Sequence, residues 1–147
     1  MADYPETLAE VVEDMESIAD RGERTEYLIE FADRFDEVKV PPEVATPPYS
    51  AQHRAPSCES EAFVWAFDQP DGTLKFYFDV LNPQGLSAKA MSVILGETLS
   101  GQPVEQVAKV STDIVLRIFG RELSMGKNAG LMGIISLVQN EARKRLK

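Results

Sequence analysis

Two short apolar segments joined by a turn sequence constrain the fold more than any other feature of this chain. The segments cover residues 62–67 and 74–81, and the turn formers Asp68-Gln69-Pro70-Asp71-Gly72 lie between them. This pattern predicts a β-hairpin. The first segment is apolar on both faces, which predicts an interior strand. The second alternates, as a strand with one buried face does, with Leu74, Phe76, Phe78 and Val80 apolar and Lys75, Tyr77 and Asp79 between them.

Helical patterns lie on both sides of the predicted hairpin. Apolar residues recur at helical spacing over residues 4–20 and 23–36. Asp3 and Glu6 have the spacing of a capping box for the first helix, and we expect Gly22 to end that helix or begin the link to the next. Four further helices are predicted downstream: one that Gly101 ends, a short one over 103–108, one that Gly120 closes, and a last one that runs into Arg143-Lys144-Arg145.

This order of elements predicts an α+β fold. We expect a single domain over residues 1–147, with a small antiparallel sheet of two to three strands packed by several helices. A third strand, if present, would come from the segment before Cys58. The length is that of one domain with a sizeable core.

Composition excludes several classes of function. The net charge of −9 argues against nucleic acid as a partner, because phosphate binding depends on clustered Lys and Arg. One cysteine excludes an internal disulfide, and together with one histidine it excludes the usual four-ligand zinc site. No apolar run is long enough to span a bilayer and the acidic N-terminus is unlike a signal peptide, so we expect a cytoplasmic protein without a membrane partner.

The candidate reactive residue is Cys58, the sole cysteine. Residues 38–57 hold five of the nine prolines and predict a long irregular segment that delivers this thiol to the start of the first strand. A loop of this length in a small domain is often functional. A free cysteine is also commonly a small buried hydrophobe, so both interpretations stay open on position alone.

Several motifs in a fixed order give the chain a resemblance to the SufE family of sulfur-acceptor proteins. Cys58-x-Ser60 at the head of an apolar strand is similar to the family's Gly-Cys-x-Ser-x-Val-Trp signature. The resemblance covers residues 24 to 145 and includes three further segments: Arg24-Thr25-Glu26-Tyr27-Leu28-Ile29-Glu30, Leu99-Ser100-Gly101-Gln102-Pro103, and Leu123-Ser124 to Gly130-Leu131. Departures from the family pattern include Ser57 for glycine, Ala62 for valine, Phe63 for tryptophan and Lys127 for arginine.

The resemblance implies a fold like that of SufE and IscU and a role in iron–sulfur cluster assembly. Such a protein takes persulfide sulfur from a SufS-type cysteine desulfurase onto its cysteine, here Cys58, and stimulates the desulfurase. It then passes the sulfur to a downstream scaffold. It would be an accessory protein and not an enzyme, and it would bind no cofactor, since the pyridoxal phosphate belongs to the partner.

Four further residues are candidates for supporting Cys58. The Ser60 hydroxyl could bond the loop or the sulfur, and His53 and Arg54 could favour the thiolate. The resemblance places Lys127 near the thiol loop or the partner surface. Two alternatives stay open: a non-catalytic interaction module in which Cys58 is packed, and a one-cysteine redox enzyme with His53 as its base. We also expect the resting thiol to be tucked under a mobile proline-rich loop.

Overall fold

The hairpin predicted from the turn sequence is present. The structure is a computed structural model that describes residues 4–56, 60–121 and 123–146. Strand β1 is Ala62–Asp68 and strand β2 is Leu74–Val80, and they pair antiparallel from Ala62 opposite Val80 to Asp68 opposite Leu74. The turn is closed by a hydrogen bond from the Gln69 N–H to the Thr73 carbonyl at 2.9 Å. Gly72 supplies the left-handed conformation, with φ of +86°.

Helices flank the hairpin in the chain as predicted, and the fold is α+β. Within the described residues there are six α-helices: α1 (Glu6–Ser17), α2 (Arg21–Ala32), α3 (Leu86–Leu99), α4 (Val104–Val107), α5 (Ile114–Phe119) and α6 (Met125–Arg143). Two short 3-10 helices cover Phe35–Glu37 and Ala51–His53. Gly120 caps the C-terminal end of α5 with φ of +86°, which confirms the prediction that this glycine closes the helix.

The predicted boundary between the first two helices was wrong. Gly22 lies in the first turn of α2, because the Asp20 carboxylate caps this helix by accepting the Glu23 N–H at 2.9 Å. The chain therefore turns at residues 18–20, upstream of the glycine. The predicted capping box depends on Asp3, which lies outside the described residues; α1 itself begins at Glu6, with Pro5 as its N-cap residue.

The main core lies between the inner face of the hairpin and the helices. Phe76 and Phe78 of β2 are fully buried, and α3 is buried along most of its length. Gly96 lets α3 approach the sheet, because a Cβ there would lie 2.7 Å from Val38 Cγ1 and 3.2 Å from Phe78 Cε1. Helix α6 packs on β1, and α1 packs on α3 and α5.

The outer face of the hairpin is covered by the proline-rich segment, which we call the strap (residues 38–56). The strap starts on the edge of β2, where the Phe78 N–H donates to the Val38 carbonyl at 2.8 Å and the Val40 N–H donates to the Phe78 carbonyl at 2.9 Å. It ends on the edge of β1 through a bridge between Arg54 and Phe63. The strap therefore crosses the sheet from one edge to the other.

The predicted third strand is thus reduced to an isolated antiparallel bridge before Cys58. Proline explains why the pairing does not extend, since Pro56 has no N–H to donate to a ladder. A second, parallel bridge joins Lys39 to Phe78 on the other edge. In the described ranges, no helix combines the length and the apolar character that crossing a membrane would need.

Candidate functional site

Cys58, the predicted reactive residue, lies outside the described residues. Its described neighbours in the chain are Pro56 before it and Ser60 after it. Both residues contact well-packed elements of the fold, and these contacts define the described surroundings of the site.

Pro56 lies against a glycine of the last helix. A Cβ at position 133 of α6 would collide with the Pro56 carbonyl oxygen, so only glycine permits this approach of the strap to the helix. The residue before it, Ala55, is fully buried, and its N–H donates to the Ala62 carbonyl at 2.8 Å. The end of the strap is therefore held on one side by β1 and on the other by α6.

Replacing Gly133 with alanine is expected to lower the free energy of unfolding by about 1–3 kcal/mol, because the added methyl group meets backbone that must move. Urea denaturation measures this. The displaced Pro56 should also change the rate at which iodoacetamide modifies the only cysteine.

The matched control is Gly22→Ala, another helical glycine, where the Cβ meets no backbone of another element but only Asp20 Oδ2, the side-chain atom that caps α2, at 3.1 Å. We expect this control to keep wild-type stability within about 1 kcal/mol and the wild-type modification rate. If Gly133→Ala and Gly22→Ala had the same stability and the same modification rate, the contact of Pro56 with position 133 would not require glycine.

Ser60 is held on the other side of Cys58 by backbone. Its carbonyl accepts the Asn82 N–H at 3.1 Å, and the Glu61 carbonyl accepts the Leu81 N–H at 3.1 Å. Gly85 makes room for it, because a Cβ at position 85 would lie 3.1 Å from Ser60 Cβ. Glu61 has a φ of +53°, a backbone conformation that residues other than glycine, Asn and Asp rarely adopt. The chain is therefore strained where it enters β1.

A cleft of about 320 Å³ opens beside Ser60, between the beginnings of α3 and α6. Its lining is mixed polar and apolar, and Ser60 and Lys127 both contribute to it. Lys127 is exposed in the first turn of α6, where its N–H donates to the side chain of the capping residue Ser124 at 3.2 Å. The structure thus brings together two of the predicted site residues that are far apart in sequence.

His53 belongs to the strap and forms contacts both within the strap and with β1. Its Nδ1 lies 2.9 Å from the Val64 carbonyl, which can only accept, so Nδ1 carries the proton and Nε2 is left to accept from the Gln52 amide at 3.3 Å. The ring stacks on Trp65 with centroids 4.9 Å apart. These contacts hold the strap on β1. A pairing of His53 with Cys58 stays a prediction, as does an effect of the exposed Arg54 on the thiol.

A hydrogen bond that the sequence did not indicate fastens the middle of the strap. The Tyr49 hydroxyl donates to Asp79 Oδ2 at 2.6 Å, and the Val80 N–H donates to Asp79 Oδ1 at 2.8 Å. Asp79 is 5% exposed and forms no ion pair with any residue that the structure describes. Burial, together with the hydrogen bond to Asp79 and its charge, raises the pKa of Tyr49 well above the usual value for tyrosine.

The residues in the described ranges include no group of His, Cys, Asp and Glu side chains that could hold a metal ion. The candidate site joins the thiol of Cys58, which stands in the sequence between the anchored residues Pro56 and Ser60, with Lys127 on the cleft that Ser60 lines.

Comparison with known proteins identifies one family. The model of the SufE family, described as an Fe-S metabolism associated domain, matches residues 9–142. Among solved structures, the fold is similar to the solution structure of a hypothetical protein from Thermus thermophilus, with a TM-score of 0.70 and 27% sequence identity over 97% of each chain. A search of curated proteins found no match.

Proposed function

Because this chain belongs to the SufE family of Fe-S metabolism associated domains, we propose that it accepts sulfur from a cysteine desulfurase onto Cys58. The Cys58 thiolate attacks the outer sulfur of a persulfide on the partner's cysteine. A new S–S bond forms on Cys58, the partner's S–S bond breaks, and the partner's cysteine leaves as a thiolate. The proton on the Cys58 thiol is lost to solvent before the attack. No net oxidation occurs, so one cysteine is sufficient.

The observation that carries this proposal is the anchoring of the chain on both sides of Cys58. Pro56 lies against Gly133 of α6, and Ser60 is held beside Gly85 at the edge of the cleft. A carrier thiol needs a defined position and access for a second protein. Only three residues separate Pro56 from Ser60 in the sequence, and Ser60 lines an open cleft, an arrangement suited to both needs.

The proposal includes two partners and one location. A pyridoxal-phosphate cysteine desulfurase supplies the persulfide and retains the cofactor, and a downstream scaffold for iron–sulfur cluster assembly receives the sulfur. By removing sulfur from the desulfurase, this accessory protein accelerates its turnover. We place these steps in the cytoplasm.

Intact-protein mass spectrometry tests the proposal. The purified protein is incubated with a cysteine desulfurase and L-cysteine, and we expect a mass gain of one sulfur atom. The gain should map to the peptide that contains Cys58 and should disappear with dithiothreitol.

The control is the same protein alkylated at its only cysteine beforehand, which should gain nothing. A desulfurase that carries its own persulfide but transfers none to this chain would contradict the proposal. Turnover of peroxide or glutathione without any desulfurase would instead favour a redox enzyme.

A further inference from the structure

Two clefts adjoin at the beginning of α3. The first is the cleft of about 320 Å³ beside Ser60. The second, of about 150 Å³, is lined by α2, by the start of α3 and by Phe119 and Leu123. Leu86 and Ser87, the first two residues of α3, line both clefts. The two clefts therefore form one groove across the start of α3, which we call the basic groove.

Cationic side chains line this groove in a protein that is acidic overall. Lys127 lines the first cleft, and Arg21 and Arg24 line the second. Among the described residues that line the two clefts there is no Asp or Glu, although the whole chain has 24 acidic residues, 15 Lys and Arg residues and a net charge of −9. A cleft lined by charges of one sign attracts a partner of the opposite sign. The groove therefore favours an acidic occupant.

Arg24 is a partly buried cation that forms no ion pair with any residue that the structure describes. Its Nη2 donates to the Ile18 carbonyl at 2.9 Å, and a Cβ at position 120 would lie 2.6 Å from its Nη1, so the guanidinium is held in place. Its Nε is buried and has no hydrogen-bond partner within the described ranges. Ion pairs with carboxylates are formed by three other arginines: Arg34, Arg117 and Arg145. Because burying a cation without such a pair is costly, Arg24 is suited to a carboxylate that another molecule supplies.

The groove also offers apolar contact area. Leu86, which lines both clefts, is 41% exposed and is available for contact with another molecule. Further apolar residues line the two clefts: Leu28, Phe119, Leu123 and Leu131. Protein–protein interfaces combine apolar contact area with charges that fix the orientation of the partner. A segment with an apolar side chain and neighbouring carboxylates would match this groove.

The occupant follows from the sulfur transfer proposed above, on which this inference rests. The outer sulfur of the persulfide and the sulfur of Cys58 must come into bonding contact, so the desulfurase has to cover the surface beside Cys58. Ser60, two residues further along the chain, lines the first cleft. The desulfurase therefore reaches the first cleft, and the second cleft continues the same groove.

We propose that the basic groove binds an acidic segment of the cysteine desulfurase. Lys127 and Arg24 pair with carboxylates of that segment, and Leu86 contacts an apolar side chain of it. The groove acts in docking and not in the transfer step. A change within it should therefore alter the affinity for the desulfurase and leave maximal stimulation unchanged.

Ser87→Asp and Ser87→Lys test the sign of the charge on the occupant. Position 87 lines both clefts and lies in the first turn of α3, where the helix dipole favours an acidic side chain and disfavours a basic one. Stability and binding should therefore change in opposite directions, which a purely structural role of Ser87 would not produce. We expect Ser87→Asp to raise the dissociation constant for the desulfurase about tenfold, and Ser87→Lys to leave it equal or lower it.

Ser111→Asp is the matched control, because it makes the same change of charge at an exposed serine outside the groove. The carbonyl of the adjacent Val110 accepts from the Gln139 amide at 3.0 Å, and Gln139 lies about 18 Å along α6 from Lys127. Calorimetric titration should give this control the wild-type affinity, and added salt should reduce the effect of Ser87→Asp. Unchanged binding of Ser87→Asp, or equal weakening by Ser87→Lys or Ser111→Asp, would overturn the inference.

Cross-linking of the wild-type complex identifies the bound segment. A carbodiimide joins an amine to a carboxylate that it contacts, so it should link Lys127 to an Asp or Glu of the desulfurase. A complex in which Lys127 forms no such link would overturn the acidic occupant. Persulfide formation on Cys58 would in that case still support the proposed function, whereas its absence in the wild-type protein would overturn both.

Discussion

A Cys58→Ser variant is expected to accept no sulfur and to lose all stimulation of the desulfurase. The serine hydroxyl is not ionised at neutral pH and does not displace a thiolate from a persulfide, whereas a thiolate does. Since Cys58 is the only cysteine, no other thiol of the chain can replace it. Desulfurase turnover with saturating L-cysteine, measured with and without the variant, gives the result directly.

Binding separates loss of chemistry from loss of structure. Cys58→Ser should still bind the desulfurase within about threefold of the wild-type affinity, because the substitution exchanges one sulfur atom for oxygen and other residues carry most of the binding energy of an interface. It should therefore compete with the wild-type protein and lower its stimulation. A serine variant that stimulates the desulfurase as well as the parent would identify this chain as an interaction module in which the cysteine is merely packed.

The hairpin and most helices could be predicted because their signals are local. Gln69-Pro70-Asp71-Gly72 is turn chemistry in any context, and Gly120 closes α5 by the conformation that glycine alone adopts easily. The wrong helix boundary at Gly22 also came from relying on local signals. Asp20 and Gly22 both signal a helix boundary, and the sequence does not say that the cap at Asp20 acts first.

The strap could not be predicted because its partners are distant in sequence. Phe63 and Trp65 were correctly expected to be buried, yet nothing local shows that the proline-rich segment covers them. Tyr49 packs edge-on against both rings, with centroids at 5.0 Å and 4.7 Å. These contacts, with the bridges at both sheet edges, hold the strap along its length. The proline-rich loop that the sequence suggested to be mobile would have to break these contacts in order to move.

The candidate site was reached by two kinds of inference. Physical reasoning indicated Cys58 as a thiol at the start of a strand, and only the family resemblance indicated Lys127. The structure places Lys127 on the same cleft as Ser60, which periodicity could not reveal, because the two residues belong to elements that meet only in the folded chain. Asp79 was missed because its place in the alternation of β2 suggested an exposed face, and the strap covers that face.

Tyr49→Phe is expected to lower the free energy of unfolding by about 2–3 kcal/mol, a large effect for the loss of one hydroxyl group. The variant removes the hydrogen bond to Asp79 but leaves the carboxylate buried, and an unsatisfied buried acceptor of this kind costs more than the bond itself contributed. Denaturation in urea at pH 7 measures the change. A Tyr49→Phe protein within about 0.5 kcal/mol of wild type would show that the bond does not fasten the strap.

A double variant distinguishes the loss of the Tyr49–Asp79 hydrogen bond from the cost of leaving the Asp79 carboxylate buried without that partner. In Tyr49→Phe/Asp79→Asn the carboxylate is replaced by a neutral amide, whose oxygen can still accept the Val80 N–H. We expect the double variant to recover about half of the stability that Tyr49→Phe loses, because an uncharged amide is less costly to bury. If the double variant instead lost as much stability as Tyr49→Phe and Asp79→Asn lose together, the Tyr49 and Asp79 side chains would act independently.

The pH dependence of stability provides an independent measure of the same bond. Because burial and the hydrogen bond to Asp79 raise the pKa of Tyr49 in the folded state, folding favours the protonated phenol. The unfolded chain releases this proton near its ordinary pKa of about 10, so the contribution is fully present below that pH and declines as the pH rises above it. The stability of the wild type should therefore fall more steeply above pH ~10 than that of Tyr49→Phe. Parallel curves for the two proteins between pH ~9 and ~11 would show that Tyr49 titrates alike in the folded and unfolded states, and that the strap is not fastened through its hydroxyl.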